Sequence, residues 1–317
     1  MSSPSQPTAV PTCTIVVCTY SDERIADLNA CLEALNTQTH RPEQILVVVD
    51  HNQGLLERLA ARPTIVPIAN ASTQGLSGAR NTGVQRATGE VVVFLDDDAV
   101  PEASWLHELL VPFAVPKVAA VGGNIQPAWP RYRPWWFPTH LDWTVGCSIP
   151  TLPENGGEIR NVFGASAAFR RAALVLAGGF PTELGRLGEN GAGCEETDVC
   201  IRIRQQSPTS VIVYAAKSTV HHRVTDQRAT VSYVLRRCFA EGMSKARLAR
   251  RVGSSAATGD ERAYAFTIAR AVLGDVVTGV VHPSRIGRAA VLISGLGCAS
   301  AGYLRELVAG RPTALAT

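Results

Sequence analysis

Val91-Val92-Val93-Phe94-Leu95-Asp96-Asp97-Asp98-Ala99-Val100-Pro101 is the stretch on which the reading of this 317-residue chain turns. Five consecutive apolar residues, three of them β-branched, run straight into three carboxylates. A short continuous apolar run bounded by turn residues reads as a strand buried on both faces, as in a parallel sheet. Clustered like charges at the end of such a strand are unfavourable unless something neutralises them, and a divalent cation is the usual solution. The alternative is a solvated acidic turn, or a helix cap made by Asp98.

Working outward, runs of the same kind occur at residues 14–19 (TIVVCT), 45–50 (ILVVVD), 64–68 (TIVPI) and 118–121 (VAAV). Helical periodicity lies between them. Asp22 is expected to cap a helix whose apolar face is Ile25, Leu28, Cys31, Leu32 and Leu35. A second helix is expected over 76–87, opened by Gly75 or Ser77, and a third over 105–113. Strand–helix alternation with short connections predicts an α/β fold, a doubly wound, mostly parallel sheet flanked by helices. Residues 124–160 break the rhythm with six prolines and four of the five tryptophans, Trp129, Trp135, Trp136 and Trp143. They read as a long excursion, whose aromatics either anchor it or stack on an acceptor. A helix is expected at 170–177, another at 195–206 and a strand at 211–214; from residue 229 onward the pattern is helical, with a stripe of Tyr233, Leu235, Phe239 and Met243. The expected division is a disordered tail at 1–11, a sheet domain at 12–228 and a helical region at 229–317.

Hydrophobic residues make up 46 % and charged residues 18 %, which supplies a core and excludes a disordered chain. Residues 1–222 carry 16 Lys and Arg against 21 Asp and Glu, whereas residues 223–317 carry 14 against 6. The acidic balance of the first part and the lack of a recognised module speak against a nucleic-acid partner. The basic C-terminal region points to an anionic partner, such as a membrane surface or a phosphate-bearing substrate. None of the eight cysteines forms a C-x-x-C pair, so zinc-ribbon and thioredoxin spacings are missing. The N-terminus has no basic region followed by an apolar run, and reduced thiols in a cytoplasmic protein are the expectation. The segment 289–304, flanked by Arg288 and Arg305, reads as a packed or interfacial helix.

Three other patterns bear on chemistry. Glu195-Glu196-Thr197-Asp198 opens a helix after a stretch containing Gly185, Gly188, Gly191 and Gly193. Acids in a first turn complement the helix dipole without any function; the catalytic reading makes Glu196 a general base near a reacting hydroxyl. Of His221 and His222, adjacent on a strand, at most one can join the acidic cluster as a metal ligand. Gly75-Leu76-Ser77-Gly78-Ala79-Arg80-Asn81-Thr82-Gly83 opens a helix and is neither a P-loop nor a dinucleotide fingerprint.

In order, TIVVCTYSDER, ILVVVDHN, GLSGARNTG, FLDDDAVP, CEETDVCIRIR and VHHRV resemble the motifs of the glycosyltransferase family 2 enzymes of GT-A fold, over about residues 12–250. WWFPTHLDWTVGC further resembles an actinobacterial and archaeal branch. The resemblance implies a single inverting transfer from a nucleotide-diphosphate-sugar donor to a carbohydrate, lipid-linked or small-molecule acceptor, with Mn²⁺ or Mg²⁺. It implies that Thr19, Tyr20 and Asp50 hold the nucleoside, that Arg80 and Asn81 line the nucleotide site, and that Asp96 and Asp98 form the D-x-D motif contacting ribose and metal, with Asp96 and Asp97 on the donor. His222, which matches the family's V-x-H-x-V pattern better than His221, would join Asp98 on the metal. Glu196 stands where the family usually has Asp. The Gln-x-x-Arg-Trp signature of processive relatives is missing, which favours one sugar per turnover. A nucleotidyltransferase would need a glycine-rich phosphate loop near the first strand, which CTYSDER is not. A nucleotide-sugar-binding protein without turnover is the rival outside enzymes. The transferase reading requires Glu196 to face the same cleft as Asp96 and Asp98. The expected location is cytoplasmic, with the basic C-terminal helices resting peripherally on the inner face of a membrane.

Overall fold

The computed structural model describes residues 10–184, 193–254, 257, 261–279, 281–282 and 284–309. The expected tail lies outside these residues apart from Val10 and Pro11, as do Gly185, Gly188 and Gly191.

Eight strands form one sheet: β1 (Cys13–Thr19), β2 (Gln44–Val49), β3 (Val66–Ala69), β4 (Val91–Asp96), β5 (Ala99–Pro101), β6 (Val118–Ala128), β7 (Ser166–Arg170) and β8 (Val211–Arg223). Their order is β3-β2-β1-β4-β7-β6-β8-β5. The first four in that order are parallel, β7 runs antiparallel to both β4 and β6, β6 and β8 are parallel, and β5 closes the edge antiparallel to β8. The sheet is therefore mixed, with its parallel half built from the runs that the apolar pattern marks.

The helices are α1 (Ile25–Asn36), α2 (Gln53–Leu59), α3 (Leu76–Arg86), α4 (Trp105–Leu110), α5 (Arg171–Leu176), α6 (Glu195–Gln206), α7 (Val231–Val252), α8 (Glu261–Gly279) and α9 (Ser284–Ala309). Because side chains alternate along a strand, each strand feeds two layers. Ile15, Val17, Val47, Val93 and Leu95 pack with Leu28, Leu32 and Leu35 of α1 and Leu106 and Leu109 of α4. Val16, Leu46, Val48, Val92 and Phe94 pack on the other side with Ala79 and Val84 of α3 and Val199 and Ile203 of α6. Phe94 meets Phe169 and Phe180 edge-on, at centroid distances of 6.0 and 5.1 Å, the geometry that the ring quadrupoles favour.

Three expectations change, and the aromatics of the excursion mostly anchor it. Asp22 does not cap α1: Ser21 accepts from the Glu23 N–H at a short 3₁₀ turn, and Asp22 instead bonds Asn52 and Arg58. Residues 124–128 continue β6 rather than starting the excursion, paired with 219–223 of a β8 much longer than 211–214. Trp129 and Trp136 pack on Phe137, Trp143 donates to the Tyr264 hydroxyl at 2.9 Å, and Trp135 is exposed. In α7 the buried residues are Val234, Arg237, Cys238, Gly242, Ser244, Ala246 and Leu248, and the expected stripe of Tyr233, Leu235, Phe239 and Met243 is only half-buried. All eight cysteines are free thiols.

Candidate active site

The alternation that builds the core also sorts the three aspartates. Asp96 follows Phe94 by two residues and falls on the α3/α6 side of the sheet. Arg80 of α3 waits there, only 2 % exposed, with its guanidinium 5.8 Å from the Phe94 centroid and 5.4 Å from that of Phe180. Its Nη1 donates to Glu196 Oε1 at 2.7 Å and to Glu195 Oε1 at 3.3 Å, and its Nη2 lies 3.6 Å from Asp96 Oδ1. Glu196 and Asp96 thus face one cleft.

Asp97 turns the other way. Arg24, in the turn before α1, reaches Asp97 Oδ1 at 2.7 Å and Asp98 Oδ2 at 2.6 Å. Burial pushes the Asp97 carboxyl up to about 7, against the pull of Arg24 and with the help of the Asp98 charge. Burial would also raise Asp98, but the charge of His222, with those of Arg24 and Arg228, holds it far below the usual carboxylate range. Burial would lower His222, yet Asp98 holds its imidazole well above its ordinary value.

The β5/β8 pairing sets Ala99 opposite His222. His222 Nε2 lies 3.1 Å from Asp98 Oδ1 and 3.9 Å from Asp96 Oδ2, and one ligand atom from each of the three residues lies within 4.8 Å of the others. Asp98 Oδ1 is buried and has no hydrogen bond despite this approach. A cation between the three would satisfy that oxygen, and two carboxylates with an imidazole are a donor set that Mn²⁺ or Mg²⁺ accepts. Gly146, at φ +84°, lets the chain pass the ring: a Cβ there would sit 3.1 Å from His222 Cε1. His221 points outward and pairs with Glu102 at 3.0 Å.

The cleft holds about 1100 Å³ and runs from Arg80, Asp96, Glu196 and His222 to Trp143, Arg237 and Tyr264 and on to Leu296 and Tyr303 of α9. The other residues singled out from sequence, Thr19, Tyr20, Asp50, Asn81 and Asp97, do not line it. Thr19 is buried at the end of β1, and Tyr20 is half exposed with Arg24 against its ring. Asp50 spends its oxygens on Asn70 Nδ2 (2.7 Å), His51 Nδ1 (2.8 Å) and the Gly75 N–H (2.8 Å), which fixes the loop into α3. Both ends of the Asn81 amide bond the backbone of Phe180, each at 2.8 Å. Sequence reasoning gave no role to Arg24, Arg228 or Gly164. Three adjacent carboxylates require cations, and Arg24, inside the quoted TYSDER, is the signal that could have been followed.

The pattern of Glycosyl transferase family 2 matches residues 14–176. With the fold and the cleft, this makes the chain a member of glycosyltransferase family 2, an enzyme of GT-A fold. It is 34 % identical over 236 residues to the glucosyl-dolichyl phosphate glucuronosyltransferase of Haloferax volcanii, covering 73 % of this chain and 75 % of that one. It is 29 % identical over 242 residues to the succinoglycan biosynthesis protein ExoM of Rhizobium meliloti, covering 74 % of each. The mannosyltransferase PcManGT of Pyrobaculum calidifontis, solved with GDP-Man and Mn²⁺, shares the fold with a TM-score of 0.59 at 19 % identity, covering 96 % of this chain and 89 % of that one.

Proposed function

We propose that the enzyme transfers one sugar, with inversion, from a nucleoside-diphosphate-sugar to an acceptor hydroxyl or phosphate, and that it needs a divalent metal. The observation that carries this reading is Arg80, which bonds Glu196 while standing 3.6 Å from Asp96. The candidate base and the candidate metal ligands therefore share one cleft. Asp96, Asp98 and His222 would hold the ion. When bound, it would supply positive charge against the departing diphosphate. Glu196 takes the proton of the acceptor as it attacks the anomeric carbon, help worth about 10²–10⁴-fold. A single displacement from the face opposite the leaving group inverts that carbon. The binding of GDP-Man and Mn²⁺ by PcManGT supports the donor class.

Peripheral membrane contact belongs to the same proposal. Among the described residues one helix, α9, is long and apolar enough to cross a membrane by length and composition. Its Val291 and Leu292 are buried in the main core, and its Glu306 pairs with Arg247 and Arg250 of α7. It is thus attached to the fold, while Phe266, Leu273 and Val277 of α8 and Ile293 and Leu304 of α9 are exposed.

The test has two arms. A thermal-shift panel of nucleoside diphosphates with and without Mn²⁺ should find one base whose stabilisation needs the metal. Glu196→Gln should keep that shift and lose turnover. Transfer at the parent rate in Glu196→Gln removes Glu196 from its role, and donor binding without any transfer or hydrolysis in the parent favours a binding protein.

A further inference from the structure

We infer that Arg80 is a positioning residue for Glu196, and that Gly164 is the gap that lets the two meet; this rests on the reading of Glu196 as the base. The family resemblance puts Arg80 on the nucleotide, but its geometry points to the carboxylate. The guanidinium is almost fully buried, and Phe94 and Phe180 flank it. Its one short hydrogen bond, 2.7 Å, goes to Glu196 Oε1. Arg80 takes Oε1 and Glu196 lines the cleft, so Oε2 is the oxygen assigned to the acceptor proton. A glutamate has three rotatable side-chain bonds, and a donor of a rigid, buried guanidinium on one oxygen restricts where the other points. Arg80 also reaches toward Asp96, so one side chain sets the spacing between the base and the edge of the metal cluster.

Gly164 carries the second half of the inference. A Cβ built on it would lie 2.1 Å from Arg80 Nη2 and 2.1 Å from Glu196 Oε1. No side-chain carbon tolerates such contacts, so with any side chain at residue 164 Arg80 or Glu196 must move. Its φ lies outside the left-handed region, so alanine meets no backbone strain there. The obstacle to a side chain is the pair itself, which makes Gly164→Ala a wedge driven at the Arg80–Glu196 contact with every charge left in place.

The experiment uses the full chain with Mn²⁺ and the nucleoside diphosphate chosen by the thermal-shift panel. Gly164→Ala should bind that nucleotide within about threefold of the parent and lower kcat about 10²-fold, the scale on which a misplacement of about 1 Å acts. Arg80→Lys, which keeps the charge and loses the fork, should do the same to a smaller degree. In the Glu196→Gln background Gly164→Ala should cost less than about threefold more, because residues acting as a unit are not additive. Three results overturn the inference: parent-like kcat in Gly164→Ala, weakened nucleotide binding with kcat retained, or an undiminished loss in the Glu196→Gln background. If Gly164→Ala does not fold, Arg80→Lys decides by the same criteria. An active Glu196→Gln sinks the base reading and this inference with it, whereas an inactive Glu196→Gln beside an active Gly164→Ala sinks the inference alone.

Discussion

Two glycines with the same backbone angle separate the proposed metal site from the stability of the fold. Gly146 and Gly156 both sit at φ +84°, but a Cβ on Gly146 would meet His222 Cε1 at 3.1 Å, whereas one on Gly156 would meet nothing within 4 Å. Alanine in this region costs about 1–2 kcal/mol at either position. At about 2–4 °C per kcal/mol, each variant should melt roughly 2–8 °C below the parent. Carbon atoms prefer separations of about 3.5–4.0 Å, so the ring of His222 must yield by roughly 0.4–0.9 Å in Gly146→Ala. Metal–ligand distances tolerate only about ±0.2 Å. Mn²⁺ affinity should therefore fall about 10–100-fold in Gly146→Ala, the loss typical of disturbed support around a ligand, and stay at the parent value in Gly156→Ala. Calorimetric titration with Mn²⁺ reads the affinity and scanning calorimetry the melting point. Equal Mn²⁺ affinity in the two variants, with both melting early, would refute the placement of His222 on the metal.

Burial raises Asp97 from 3.8 to about 7, so the folded, metal-free protein holds a proton that the unfolded chain gives up. Stability from this group is complete below about pH 4 and is lost as pH rises toward 7; Asp97→Asn should therefore gain on the parent by up to about 1.4 kcal/mol per pH unit between pH 5 and 7 in chelator, measured by urea denaturation. A constant difference across that range would contradict the assignment. Asp198 is fully buried and accepts from Arg202 at 2.6 Å and from Arg251 of α7 at 3.0 Å. Asp198→Ala strands both cations and should cost about 3–5 kcal/mol, whereas removing the more exposed Arg251 should cost about 1 kcal/mol or less in the same denaturation assay. Vesicles with anionic lipid should sediment the protein at low salt and release it as salt rises; protein that stays in the supernatant at low salt argues against membrane contact.

The strands β1, β2 and β4 were legible because burial on both faces leaves mostly apolar residues in them, with Gln44, Asp96 and Thr19 at their ends. The ends of β6 and β8 were not. Residues 124–128 read NIQPA, a turn by composition, and they extend because each strand is the other's neighbour and Ser148 accepts the Ile125 N–H at 2.9 Å. A local pattern cannot show a partner nearly a hundred residues away. The face of α7 was misread for a different reason: Arg237 is buried because Glu241, one turn on, pairs with it at 3.2 Å, so hydropathy put that face outside when pairing put it inside. In the site, the acidic run marked the cluster and VHHRV its third member, but between the adjacent histidines the residue pattern made no choice and only the family resemblance favoured His222. The pairing of β5 with β8 makes that choice by turning His222 inward onto Asp98 and His221 outward onto Glu102.

The same two-residue period explains why three identical side chains in a row do three different things. Asp96, in step with Phe94, enters the layer of α3 and α6 and meets Arg80. Asp97, out of step, enters the layer of α1 and is taken by Arg24. Asp98 stands where the chain turns into β5, and the residue after it pairs with His222. Replacing each by Asn should therefore give three distinct defects under one pair of assays, Mn²⁺ titration and urea denaturation. Asp96→Asn should weaken the metal with little loss of stability, because its carboxylate is partly exposed and spends no short bond on the fold. Asp97→Asn should leave the metal bound and change the pH dependence of stability. Asp98→Asn should lose both, since one oxygen faces His222 and the other holds Arg24 at 2.6 Å. Three alike defects would mean that the run acts as a diffuse negative patch, and the division of labour along the strand would be wrong.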